Sequence, residues 1–197
     1  MSLFDKTIEE QETLNLIHWM VKHSDNNSLI ATMIGAYESG AYGILRAFIE
    51  AGLDVNIRHT SQDIPLLTHL VKDNRDISIE VVDYFVKHGA NINKNFGGYS
   101  ILAYAMYNGN YILVHYLLDQ GAKTDVMLLP STPIVGSYTG SAYKFAACSL
   151  VSPHLIEILI SHHVKATQDD LRTIHNFEEK YVSYKGKFSE RMAQLKE

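Results

Sequence analysis

The sequence predicts an all-α solenoid, a row of helix–turn–helix units joined by extended hairpin loops. Three observations predict it. A twelve-residue pattern is written four times: LRAFIEAGLDVN from 45, VDYFVKHGANIN from 82, VHYLLDQGAKTD from 114 and IEILISHHVKAT from 156, so the starts lie 37, 32 and 42 residues apart. Each copy has apolar residues at its first, fourth and fifth positions, one face at helical period. Three copies carry Gly at the eighth position, where a left-handed residue closes a helix without strain, and three end in Asn or Asp.

The first element in chain order is a capping helix over about 7–23. Thr7 and Glu10 have capping-box spacing, and Leu14, Ile17, Trp19, Met20 and Val21 follow. It belongs to an N-terminal cap over 1–27. Four units then occupy about 28–57, 58–94, 95–125 and 137–167, with a loop inserted at 126–136. The third is the clearest. Ser100 to Ala105 starts a short apolar helix, Asn108-Gly109-Asn110 breaks it, and a second helix carries Ile112, Leu113, Tyr116, Leu117 and Leu118 to Gly121. Neither helix buries its apolar face alone, and stacking on the next copy does that. Thr167 and Asp170 mark another helix start, and Leu171, Ile174, Phe177, Tyr181, Tyr184, Phe188, Met192 and Leu195 recur every three or four residues in a C-terminal capping helix region, 168–197. Gly186 is placed to break that stripe.

These units resemble the ankyrin repeat, whose motif runs roughly G-x-T-P-L-H-x-A-A-x-x-G-H and then a second helix ending L-L-x-x-G-A-x-x-N. Gly98, Ser100, Leu102, Ala105, Gly109, Leu117, Leu118, Gly121, Ala122 and Asp125 match or conservatively replace it. Ala36, Gly40, Ile49, Gly52 and Asn56 do so in the first copy. Pro65-Leu66, Gly89-Ala90 and Asn93 do so in the second, with about three extra residues near 74–76. In the fourth, Ala146-Ala147 match, but His163 replaces the terminal glycine. The resemblance spans about 31–167, and no copy keeps T-P-L-H intact.

The resemblance implies a protein-binding scaffold with a concave face, and it implies which positions vary with the partner: the loop before each first helix and the residues just before the turn glycine. They fall at Glu38 and Ser39; at Thr60, Ser61, Asp63, Val71 and Lys72; at Phe96, Gly97, Tyr99, Tyr107 and Asn108; and at Ser137, Tyr138, Gly140, Cys148 and Ser149. Phe96, Tyr99 and Tyr107 would put three aromatic rings on one surface, with Tyr138 extending it. Either the rings anchor a partner or they pack between loops. The resemblance also implies that Asn56 and Asn93 hydrogen-bond loop backbone and are candidate hydroxylation sites.

The inserted loop is too apolar for a solvated linker, at Met127, Leu128, Leu129, Ile134 and Val135. Either it folds back over the stack or it docks a partner. The C-terminal stripe likewise either covers the last repeat or binds a partner or a second copy of the chain, so the expectation is a monomer with a homodimer through this region as the alternative.

Composition excludes several classes. A chain of 197 residues, 46% hydrophobic, builds a core. A net charge of −5 with mixed signs offers no basic stripe for nucleic acid. No segment reads as a signal peptide or a membrane span, and the single cysteine, Cys148, suits a reducing compartment, so a cytoplasmic protein is expected. Ten histidines raise the question of a metal, but no H-E-x-x-H or C-x-x-C occurs. Adjacent His162 and His163 diverge by about 100° on a helix. No metal, cofactor or catalytic residues are expected. The sequence therefore points to a protein-interaction module. The alternative from another class is an enzyme or small-ligand binder with a pocket beneath 126–140.

Overall fold

The computed structural model describes residues 11–61, 63–94, 100–128, 138–147 and 153–195. They form helices joined by turns, with one two-stranded ribbon, in two compact units, Met1–Asn91 and Ile92–Glu197.

In the first unit, α1 (Gln11–His23) packs on α3 (Tyr42–Glu50), as does α2 (Asn26–Glu38). The expected Thr7–Glu10 capping box lies outside the described residues. The start of α2 is fixed instead by Asp25, whose carboxylate accepts the Asn27 and Ser28 amides and the Ser28 hydroxyl. The Ser28 hydroxyl bond leads the causes that hold the Asp25 carboxyl below its ordinary range. A hairpin then follows, with Leu66 donating back to Ile57 and His59 to Ile64. Helices α4 (Leu66–Asp73) and α5 (Ile79–Lys87) follow. The extra residues read near 74–76 form the linker between them. Asn74 Nδ2 donates to the Leu70 carbonyl, and Ser78 caps α5 by accepting the Glu80 amide.

In the second unit, α6 (Ile101–Asn108) packs on α7 (Tyr111–Asp119). The turn between them is Gly109, with a φ of 68°, and Asn110, whose side chain accepts the Leu113 amide. The ends of the inserted loop then pair as antiparallel strands, β1 (Asp125–Leu128) and β2 (Tyr138–Ser141), with Asp125 opposite Ser141 and Leu128 opposite Tyr138. These strands were not expected from sequence, because neither DVML nor YTGS is long or regular enough to give a period-2 signal. Helices α8 (Ala142–Ala147), α9 (His154–Ser161) and α10 (Gln168–Lys180) follow, with α8 packed on both others.

The twelve-residue recurrence is one helix ending made four times. The amides of Leu53, Ala90, Ala122 and Val164 donate to carbonyls five residues back, at 3.0, 3.0, 2.9 and 3.0 Å. In each, the preceding residue is left-handed: Gly52, Gly89, Gly121, and in the fourth copy His163 at a φ of 55°. The histidine thus takes the glycine's backbone conformation and turns its Nδ1 toward the Ser161 carbonyl, 3.1 Å away. The first and fourth positions of every copy are buried (Leu45 and Phe48, Val82 and Phe85, Val114 and Leu117, Ile156 and Leu159). The fifth is buried only in the first and last copies. Val86 and Leu118 are half-buried.

The C-terminal stripe, in which Gly186 was placed as a break, is divided among short elements. It is not one helix. The chain leaves α10 at Tyr181, makes a 3-10 turn (Val182–Tyr184), passes Gly186 at a φ of 74° and returns through α11 (Ser189–Met192). Thr167 and Asp170, read as a helix start, form a capping box. The turn is held by the buried Glu178, whose Oε1 accepts the Phe188 and Ser189 amides at 2.6 and 3.0 Å and whose Oε2 accepts the Ser189 hydroxyl at 2.6 Å. Leu171, Ile174, Phe177, Phe188 and Met192 are all buried, so most of the stripe is spent inside the fold rather than offered outward.

Candidate functional site

Helix α6 shows how local sequence sets a surface. Ile101 to Met106 are buried at six consecutive positions, which requires neighbours on every side. Tyr107 then emerges 37% exposed at the end of the helix, followed by half-buried Asn108 and left-handed Gly109. A ring placed there, one residue beyond the packed core, is accessible although nothing in the helix's packing needs it.

The other nominated positions are distributed over the two units. In the first, Glu38 is exposed at the end of α2, beside Ser39, whose hydroxyl folds back to the Gly35 carbonyl. Asp63 is exposed in the hairpin turn at a φ of 52°, and its carboxylate accepts Nη1 of Arg58 at 2.9 Å. Thr60 is occupied structurally, exchanging two hydrogen bonds with the Asn27 side chain at 2.7 and 2.9 Å. Lys72 on α4 is half-buried, its Nζ 4.0 Å from Asp73. Val71 is a correction: at 1% exposed it belongs to the core and not to a contact surface, because α4 turns it inward with Leu67 and Leu70.

In the second unit, β-pairing sets Leu128 opposite Tyr138, Met127 opposite Thr139 and Val126 opposite Gly140. Phe96, Gly97, Tyr99, Leu129, Ile134, Val135, Ser137, Cys148 and Ser149 lie outside the described residues, as does the pocket expected beneath the loop. Ile112, read as part of an apolar face, is 73% exposed, since Leu113, Val114 and Leu117 occupy the buried side of α7. Trp19 of α1 is likewise 56% exposed, stacked on His23 with ring centroids 4.9 Å apart.

Asn56 and Asn93 act across copies rather than within their own loops. Asn56 Nδ2 donates to the Gly89 carbonyl at 2.9 Å, and its Oδ1 accepts the Asn91 amide at 2.8 Å. Asn93 repeats the arrangement with the Gly121 carbonyl at 2.9 Å and the Lys123 amide at 2.7 Å. Each amide thus binds the helix ending of the next copy.

Sequence reasoning also missed one cluster. His115 of α7 and His162 at the end of α9 are in ring contact, and Asp119 faces the second nitrogen of His162. His115 and Asp119 stand four apart on α7, but His162 comes 47 residues after His115, and no spacing rule joins it to them. Among the described residues, no group of three or more His, Cys, Asp or Glu side chains forms a metal cage, and no helix is long and apolar enough to cross a membrane.

Repeated helix pairs, the shared helix ending and the asparagine bridges define an all-α ankyrin-repeat architecture. Residues 32–127 match the family described as ankyrin repeats, in three copies. The chain thus contains an ankyrin-repeat segment. The match ends before the fourth twelve-residue copy, where His163 stands in the glycine position. No curated protein matches the chain.

Proposed function

We propose that this chain is a non-enzymatic binding module that recognises a folded protein partner, since ankyrin repeats generally mediate protein–protein interaction. Its contacts come from the ends of its first helices and the loops that precede them. In the first unit these are Glu38, Asp63 and Lys72. In the second they are Tyr107 and Asn108, with Phe96, Tyr99 and Tyr138 from adjoining segments. The observation that carries the reading is Tyr107, a large ring left accessible directly after six buried residues. Rings of this kind supply apolar area at small entropic cost and dominate interface energetics. The four repeats between helical caps, 1–27 and 168–197, carry these contacts. We place the protein in the cytoplasm.

The test is affinity capture from native lysate with the wild type and a Phe96→Ala/Tyr99→Ala/Tyr107→Ala variant of equal helicity and Tm. A protein retained by the wild type and lost by the variant supports the proposal. Equal retention by both overturns the placement of the site.

A further inference from the structure

In the first unit, helix α1 packs on α3 and turns Ile17 inward, with Leu14 and Val21 half-buried on the same side. Its opposite side carries Glu12, Leu16, Trp19 and His23, all exposed. At about 100° per residue these four fall within about 60° of one another, so they form a single stripe. Leu16 and Trp19 are each 56% exposed. Two large apolar side chains adjoining on one stripe differ from apolar residues scattered singly, which need no partner. The indole is also held in place. It stacks on His23 with centroids 4.9 Å apart and planes 16° apart, and the Trp19 carbonyl accepts Nδ1 of His23 at 2.7 Å. A ring fixed in this way loses little entropy when it is covered.

The stripe reads the same from either end. Its members stand four, three and four residues apart, the seam spacing of paired helices. A second copy of α1, antiparallel about a two-fold axis between Leu16 and Trp19, therefore sets Leu16 against Trp19 twice. The same axis sets Glu12, the acidic residue of the first turn, against the basic last turn, Lys22 and His23, again twice. A parallel pair would instead bring Glu12 to Glu12 and Lys22 to Lys22. Charge thus selects the antiparallel arrangement and disfavours the other. A self-complementary patch of this kind is what a two-fold contact between identical chains requires.

We propose that the exposed stripe of α1 is the interface of a two-fold homodimer, with Leu16 and Trp19 of two copies packed across the axis and Glu12 paired with Lys22 and His23. The helix has 13 residues and is about 20 Å long, so the contact falls below the roughly 1,200 Å² of a standard interface. The dimer is therefore weak and reversible, with a dissociation constant in the micromolar range. The stripe shares no residue with the surface proposed for the protein partner, so the two readings stand or fall separately.

The experiment is sedimentation velocity on the full chain over a concentration series spanning the micromolar range. Trp19 is the single tryptophan, so its emission should also shift to the blue as the dimer forms. Leu16→Ala and Trp19→Ala, both at exposed positions, should keep wild-type helicity and weaken association, Trp19→Ala by about tenfold or more. Ile112→Ala, which removes another exposed apolar side chain, should leave association unchanged. Glu12→Lys alone and Lys22→Glu/His23→Glu alone should each weaken self-association several-fold. Mixed together, those two variants should associate at least as well as the wild type, because each altered helix end then meets the opposite charge. A monomer at every concentration, which would leave the stripe to a different protein, overturns the proposal. So does association that survives Trp19→Ala, or a mixture no tighter than its components.

Discussion

Replacing Glu178 tests whether the C-terminal reversal is a single hydrogen-bonded device. The residue is 2% exposed, and its carboxylate accepts the Phe188 and Ser189 amides and the Ser189 hydroxyl within the turn. Glu178→Ala leaves these donors without their acceptor, and the Phe188 residue is fully buried, so water does not replace the bond there. At about 1–3 kcal/mol for each buried group left unsatisfied, discounted because Ser189 is half-buried, the loss comes to about 3–4 kcal/mol. Glu178→Gln keeps an acceptor oxygen and the shape of the side chain but removes the charge, for a loss of about 1–2 kcal/mol. Burial pushes the Glu178 carboxyl up, but the Ser189 hydroxyl and the amides of Phe188, Ser189 and Gly186 outweigh it and hold it below its ordinary 4.5. A depressed folded-state pKa contributes stability that is fully present above 4.5 and fades as pH falls toward the folded value. The wild type should therefore exceed Glu178→Gln at pH 7, and the gap should narrow below about pH 4.5. Urea unfolding across pH, with hydrogen exchange at the Phe188 and Ser189 amides, reads both effects. Unchanged exchange in Glu178→Ala, or a gap that does not narrow in acid, refutes the reasoning.

Two further outcomes follow from the repeat geometry. Asn56→Ala should cost about 1–2 kcal/mol for two lost bonds, and Asn56→Asp at least as much at neutral pH, because it sets a carboxylate oxygen against the Gly89 carbonyl. Faster exchange of the Asn91 amide in both variants checks it. At the shared helix ending, Gly89→Ala should lose about 1 kcal/mol from backbone strain alone, since an added Cβ meets nothing within 4 Å. His163→Gly should gain up to about 1 kcal/mol, the relief of left-handed strain being partly offset by glycine's entropy. Denaturation midpoints of the two variants moving in the same direction would contradict that account.

Local patterns carried a large share of the fold. Apolar spacing located each second helix, the glycines located its end, and Thr167 with Asp170 located the start of α10, because these signals depend on residues within one or two turns of each other. The same rules failed where burial depends on what lies opposite. Val71 and Ile112 are both apolar helical residues, and only neighbouring elements decide that one is 1% exposed and the other 73%. The strands β1 and β2 were hidden for a related reason, since their stability comes from pairing with each other across the inserted loop rather than from either segment's own pattern.

The site divides in the same way. Tyr107 was legible as a turn-preceding residue, and its exposure follows from that position. Sequence marked Asn56 and Asn93 as loop asparagines, but their partners, Gly89 with Asn91 and Gly121 with Lys123, belong to the next copy. The repeat architecture and its helix endings were determined by sequence alone, because short-range sterics and periodicity specify them. Which asparagine bridges which helix end, where the C-terminal chain reverses, and that His115 meets His162 rather than its neighbour His163 were decided only by tertiary structure. Those contacts join residues many positions apart, and only packed helices bring them within bonding distance.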